Sequence, residues 1–358
     1  NKWLDSPHAD FSAEAFRHWD EDGEISDSCA KCHSSYGYQD WVGADGTAFE
    51  SIQSAAALGS TVDCDACHNS GTEGLSTVLF PSGKRIDGLG SEARCMQCHQ
   101  GRESGGDVDD MIALSELGDD EPATGTVPRG SDGAVDKLSV LNIHYLPAAA
   151  TLYGRDAGGG YEYSDDDQLY NGRFYHVRSK DTCIECHDPH TTELRLDECL
   201  VCHAEATDYA GLRDIRMTRT LLDYDGDGDT TEGVAEELEG MRQALLAAMQ
   251  AYSTAKGNLI TYDDHSYPYF FGADGKSYST FTPNLLRAAY NLQYATKDPG
   301  IYAHNARYVM ELLYDSYMSL QNSGVYTPLK TVLVRNEAGG HFDATAEAYR
   351  HWDEDDEL

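Results

Sequence analysis

This 358-residue chain has few basic residues, no long apolar runs and no cysteine outside a single repeated motif. Lys and Arg total 26 against 62 Asp and Glu, a formal net charge of −36. A surface this acidic repels phosphate backbones and anionic headgroups, which argues against nucleic acid and anionic membranes as partners. Mean hydropathy is −0.54, and no apolar run approaches the ~20 residues of a membrane-spanning helix, so no membrane span is expected. The length suggests two or three domains, for which apolar residues are sparse. Position 1 is not Met and no leader pattern is visible, so the chain is expected to be a mature, exported product.

All ten cysteines fall in five Cys-x-x-Cys-His units. The cysteines are Cys29, Cys32, Cys64, Cys67, Cys95, Cys98, Cys183, Cys186, Cys199 and Cys202, followed directly by His33, His68, His99, His187 and His203. Two thiols three positions apart can form thioethers to the two vinyl groups of one haem, and the next His is then placed as an axial iron ligand. Zinc sites, a disulfide framework and thioredoxin-like pairs compete for the same cysteines. None of them requires a His after every second Cys. The expected cofactor is therefore haem c, five per chain, with those five His as proximal ligands. The motifs resemble those of the multihaem c-type cytochromes over residues 29–203, and that resemblance implies haem attachment outside the cytoplasm.

Nine His remain for the distal positions. Neutral imidazole is the usual sixth ligand of an electron-transfer haem. His8, His18, His144, His176 and His190 are the expected distal ligands, because each lies within the motif-bearing span or just before it. His190 follows His187 so closely that it should face a different iron. His265 and His304 lie in a later helical region and are expected to be structural.

The expected fold is mostly irregular polypeptide wrapped on haem, with short helices, minimal strand and a C-terminal α-helical domain. A helix is expected from Ser12 as N-cap to His18-Trp19. Gly105-Gly106 and the later Gly and Pro clusters read as loop. Residues 161–177 read as a hairpin around Asp165–Asp167. Helical stripes follow at Leu238, Met241, Leu245, Met249 and Tyr252, then from Pro283, then after Gly300. The expected division is 1–204 as a pentahaem electron-transfer domain, 205–335 as a haem-free helical domain, and 336–358 as a terminal segment.

That segment is a copy. His8 to Asp22 returns as His341 to Asp355 at a constant offset of 333, so His341 and His351 match His8 and His18. Either the chain is one module of a tandem array, or the copy engages a neighbouring subunit head-to-tail, which without ring closure grows a filament. The second reading is favoured here. Separately, Asp223, Asp225, Asp227 and Asp229, with Gly226 and Gly228 between, resemble a calcium loop. Position twelve is Val234, so Glu232, Glu236 or Glu237 would have to close it, with Glu236 preferred. The competing reading is a solvated acidic linker.

The functional expectation is extracellular or cell-surface electron transfer through bis-His haems, with periplasmic location as the alternative. The resemblance extends to extracellular cytochromes of metal-respiring prokaryotes, some of which polymerise into conductive filaments. Partners are expected to be further copies of the chain, other redox proteins or extracellular acceptors. The rivals are a monomeric shuttle and a multihaem oxidoreductase. The latter needs an open distal face, sometimes marked by Lys in place of a motif His, whereas all five motifs here end in His.

Overall fold

The computed structural model describes residues 2–124, 138–163, 169–177, 179–216 and 222–335, with the backbone of 340–343 and 348–351. Among them are thirteen α-helices, most of one or two turns, and four two-stranded antiparallel ladders. The chain forms two compact units. The first comprises residues 1–79, 85–99 and 175–204, and the second 80–84, 100–174 and 205–358.

The first unit holds all five motifs and little conventional core. Ile25, Ala30 and Ala56 are buried together, with Trp19, Cys29, Ile52 and Leu58 against them. Tyr38, Val42 and Ala66 form a second small cluster with Trp41, Val62, Leu75 and Cys98. Buried apolar area is the main driving force for folding, and these clusters are too small to supply much of it. The helix Ser35–Trp41 is capped by the Ser34 hydroxyl, which accepts from the Tyr36 and Gly37 amides. It crosses the helix Asp27–His33 at Gly37, where a Cβ would lie 2.3 Å from the Ala30 carbonyl oxygen.

The helix expected from Ser12 is shorter, running Glu14–Arg17 with Ala13 as N-cap. Ser12 bonds backward instead. Its amide and hydroxyl both donate to Asp10 Oδ1, at 2.9 and 2.6 Å, a local alternative that keeps such residues out of helix starts.

The second unit is organised on three long helices, Val234–Ala255, Pro283–Lys297 and Ala306–Gln321, which pack on one another. The stripe Leu238, Met241, Leu245, Met249 and Tyr252 is wholly buried, as are Leu285, Leu286 and Leu312. Pro283 occupies the first turn, and the Thr282 hydroxyl caps it by accepting from the Leu285 amide at 3.1 Å. The helix expected after Gly300 is broken in two. Ile301–His304 stops at Asn305, whose side chain accepts from the Tyr308 amide and starts the next helix.

Residues 100–174 fold with these helices. The Asn291 side chain accepts from the Tyr161 amide and donates to its carbonyl. Glu311 accepts from the Asn171 amide, and Tyr170 donates to Asp315 at 2.6 Å. The backbone groups of Tyr161 and the Asn171 amide are thus spent on helix side chains, and no strand forms among the described residues of 161–177; the expected turn at 165–167 lies outside them. Gly105-Gly106, read as loop, open an eleven-residue helix, Gly105–Ser115. The Ser104–Asp107 capping box holds its start.

Gly340–Asp343 and Ala348–His351 pair antiparallel, with His341 opposite Arg350. The matching N-terminal residues are helical instead, as a 3-10 turn Pro7–Ala9 and the helix Glu14–Arg17.

Candidate haem-binding site

Each motif lies on or runs out of a short helix: Asp27–His33, Cys64–Cys67, Ala93–Met96, Cys183–Cys186 and Leu196–Cys199. A single helical turn brings residues three apart onto one face, which is the arrangement two thioether bonds to one ring require. Local caps hold some of these turns. Asp63 accepts from the Asp65 amide, and Glu185 accepts from the Thr182 amide and hydroxyl.

None of the ten cysteines is paired in a disulfide. Sulfurs of different motifs adjoin, Cys98 beside Cys32 and Cys95 beside Cys183. Burial pushes the Cys67 thiol up to about 11.

Among the described residues of this unit, histidines face one another in at least three pairs. Ring centres are 6.2 Å apart for His8 and His99, 6.3 Å for His68 and His190, and 6.0 Å for His176 and His203. In each pair one ring belongs to a motif and the other to none. Two metal–nitrogen bonds of about 2 Å, plus about 1.2 Å from each nitrogen to its ring centre, would separate the centres by about 6.4 Å. The observed gaps therefore fit one iron between each pair, and are too wide for direct stacking.

Backbone carbonyls orient two further motif histidines. His33 Nδ1 donates to the Ala15 carbonyl at 2.9 Å, and His187 Nδ1 to the Thr192 carbonyl at 3.0 Å. Each bond fixes the tautomer and leaves Nε2 as the lone-pair nitrogen, the usual outer-shell arrangement of a metal-bound imidazole. Burial lowers the pKa of His8, and burial with the neighbouring His203 lowers that of His176. Both shifts favour the neutral form that coordinates metal.

The chain is similar in sequence to known cytochromes. Residues 14–101 match the family described as cytochrome c7 and related cytochrome c. Across 95% of its length the chain is 26% identical to the C-type polyheme cytochrome OmcB of Geobacter sulfurreducens, covering 50% of that protein. It is 28% identical to the C-type polyheme cytochrome OmcC of the same species, over 69% of this chain and 32% of that protein. The chain is a multihaem c-type cytochrome. This cytochrome spans half or less of the length of the relatives it matches. No solved structure matches it.

The other histidines of the cytochrome lie in different settings. His18 is edge-on to Trp19 at 4.9 Å, with Nδ1 on Glu14 at 3.0 Å, while Trp19 lies 5.0 Å from the His33 ring. His144 belongs to the second unit, edge-on to Tyr145, with a backbone φ of 72°. His304 pairs with the buried Asp298 at 2.8 Å, which lifts its pKa despite burial. His265 is exposed beside Asp264.

In the acidic loop, Asp223, Asp225 and Asp227 bring carboxylate oxygens within 4.8 Å of one another, and so do Asp225, Glu232 and Glu237. Asp229 is turned to the Thr231 amide and hydroxyl, and Glu236 to the Gly233 amide. Arg216, which no motif signals, pairs with the fully buried Glu237 at 2.6 Å. Burial and like-charged neighbours push Asp225 up to about 6 and Glu232 up to about 7. The Ala15 and Thr192 carbonyls also escape sequence reading, because a backbone oxygen leaves no mark in residue identity.

Proposed function

We propose that this cytochrome is an extracellular electron-transfer protein holding five c-type haems, each iron between two histidines, and that it is the subunit of a polymeric filament. The observation that carries the electron-transfer reading is the set of three facing histidine pairs at 6.0–6.3 Å. Bound haem iron supplies a one-electron couple. The ten cysteines anchor the rings covalently, and His33, His68, His99, His187 and His203 are the proximal ligands. His8, His190 and His176 are the distal partners of His99, His68 and His203. His18, in the same unit as the two remaining motif histidines, His33 and His187, serves one of their irons. Two imidazoles on every iron leave no open coordination position for substrate, which favours electron transfer over catalysis.

The filament reading rests on the terminal copy. His341 and His351 repeat His8 and His18, so the segment carries what it needs to engage a motif-bearing surface of another copy. A calcium ion in the Asp223–Glu237 loop completes the proposal. Asp223, Asp225 and Asp227, with Glu232 and Glu237, offer the hard oxygen set such an ion prefers.

Intact mass and the ferric spectrum test the haem assignment. Five haems and a wholly low-spin spectrum are expected; a high-spin component in the unmodified protein would instead point to an open iron and a catalytic role. Electron microscopy of the native protein tests assembly. Regular filaments that disappear in His341→Ala/His351→Ala are expected, and dispersed single-chain particles of the native protein would overturn the filament.

A further inference from the structure

We propose that Asp188 is a positioning residue that holds two haem ligands, His187 and His190, in place through one turn. The inference rests on the ligand assignment above and extends it to a residue that no cysteine motif includes.

The sequence His187-Asp188-Pro189-His190-Thr191-Thr192 begins with the residues a tight turn prefers, Asp first and Pro second. The structure shows where that turn's hydrogen bonds go. Asp188 Oδ1 accepts from the His190 amide at 2.9 Å and the Thr191 amide at 3.2 Å. The Asp188 carbonyl accepts from the Thr192 amide, and its own amide donates to the Glu193 carbonyl, both at 2.8 Å. A bridge between His187 and Leu194 closes the base. Asp188 Oδ2 is held separately, by Lys2 Nζ at 2.6 Å.

Both outputs of this turn are ligands. Folding the chain back brings the Thr192 carbonyl to His187 Nδ1 at 3.0 Å, with Thr192 itself at a φ of 64°. The same turn presents the His190 ring to His68, nearly parallel at 14°. The Asp188 side chain therefore sets the direction of one ligand through a carbonyl and of the other through the amide of the ligand itself. Removing Oδ1 frees two amides and the geometry they impose, and ligand orientation is what outer-shell partners control.

The test uses the mature, haem-loaded full chain. Asp188→Ala should show a high-spin ferric component equal to one haem's share, as large as that of His190→Ala, and added imidazole should return both to low spin. The double variant should show no more high-spin signal than either single one, because His190 is the ligand lost in both, whereas His187, next to the haem-anchoring Cys186, stays on its own iron. Asp188→Asn keeps an acceptor oxygen and should remain low-spin, and Lys2→Ala, which touches only Oδ2, should too. A wild-type spectrum for Asp188→Ala, or a high-spin signal from Lys2→Ala alone, would overturn the inference. If Asp188→Ala does not mature, Asp188→Asn and Asp188→Ser decide: low-spin spectra with full haem content support it, and high-spin spectra in both refute it. If His190→Ala itself stays low-spin, the ligand assignment fails. If His190→Ala opens an iron and Asp188→Ala does not, only the role of Asp188 fails.

Discussion

The acidic loop at the start of the helix Val234–Ala255 should make the second unit sensitive to pH and to calcium in opposite directions. Carboxylate oxygens of Asp225, Glu232 and Glu237 lie within 4.8 Å of one another. Two unit charges at that distance repel by about 3.5 kcal/mol at an effective dielectric constant of about 20. Arg216 compensates Glu237, so the uncompensated repulsion is between Asp225 and Glu232, raised to about 6 and about 7. Solvent screening at this partly exposed site reduces the cost to about 1–2 kcal/mol near neutral pH. The sign follows from proton linkage: folded values above the ordinary carboxylate range mean that the folded state binds more protons than the unfolded one between about pH 4 and 7. Without calcium, stability is therefore greatest on the acid side of that window and falls as pH rises through it.

Millimolar calcium should reverse the loss. Scanning calorimetry should show an unfolding temperature about 3–6 °C higher with calcium at about pH 8, and almost no gain at about pH 5, where protons already neutralise the pair. Asp225→Asn, which keeps the oxygen that accepts from the Asp227 amide, should stabilise the calcium-free protein by about 1 kcal/mol at about pH 8 and abolish the calcium gain. Equal unfolding temperatures at both pH values without calcium would refute the electrostatic argument. An undiminished calcium gain in Asp225→Asn would refute the site.

Two further substitutions test the packing. Gly37→Ala places a methyl group 2.3 Å from the Ala30 carbonyl oxygen; it should cost about 1–3 kcal/mol and lower haem loading at Cys29 and Cys32, read by peptide mass mapping. Leu245→Ala should cost about 2–5 kcal/mol, because Leu245 is wholly buried among the three long helices. It should lower the midpoint of the helical circular-dichroism transition while leaving the ferric haem spectrum unchanged.

Several features were legible in the chain because their causes are local. The stripe from Leu238 to Tyr252 follows from helical periodicity, and Pro283 starts a helix because its fixed φ suits a first turn. Other readings failed where side-chain hydrogen bonds outweighed the pattern read from residue types. In the segment read as a hairpin, the Tyr161 and Asn171 amides are taken by Asn291 and Glu311, and Gly105-Gly106 became helical because Ser104 and Asp107 cap the turn. The helix after Gly300 broke at Asn305, a residue whose side chain caps as readily as it interrupts.

The sequence alone determined the covalent chemistry. Thioether attachment needs two cysteines and a histidine within five consecutive positions, and one helical turn presents them, so the motif is complete in itself. Only the tertiary structure decided which histidine faces which. His8 reaches His99, and His190 reaches His68, across long stretches of chain; such pairings depend on how the loops close, which no short pattern encodes. The duplicated segment shows the same division. Its N-terminal copy is helical, with Trp19 on the Ile25–Ala30–Ala56 cluster and the Ala15 carbonyl on His33, whereas the backbone of the C-terminal copy forms a strand pair. Local propensity differs little between the copies, so the surroundings, worth more than propensity, set the backbone each adopts.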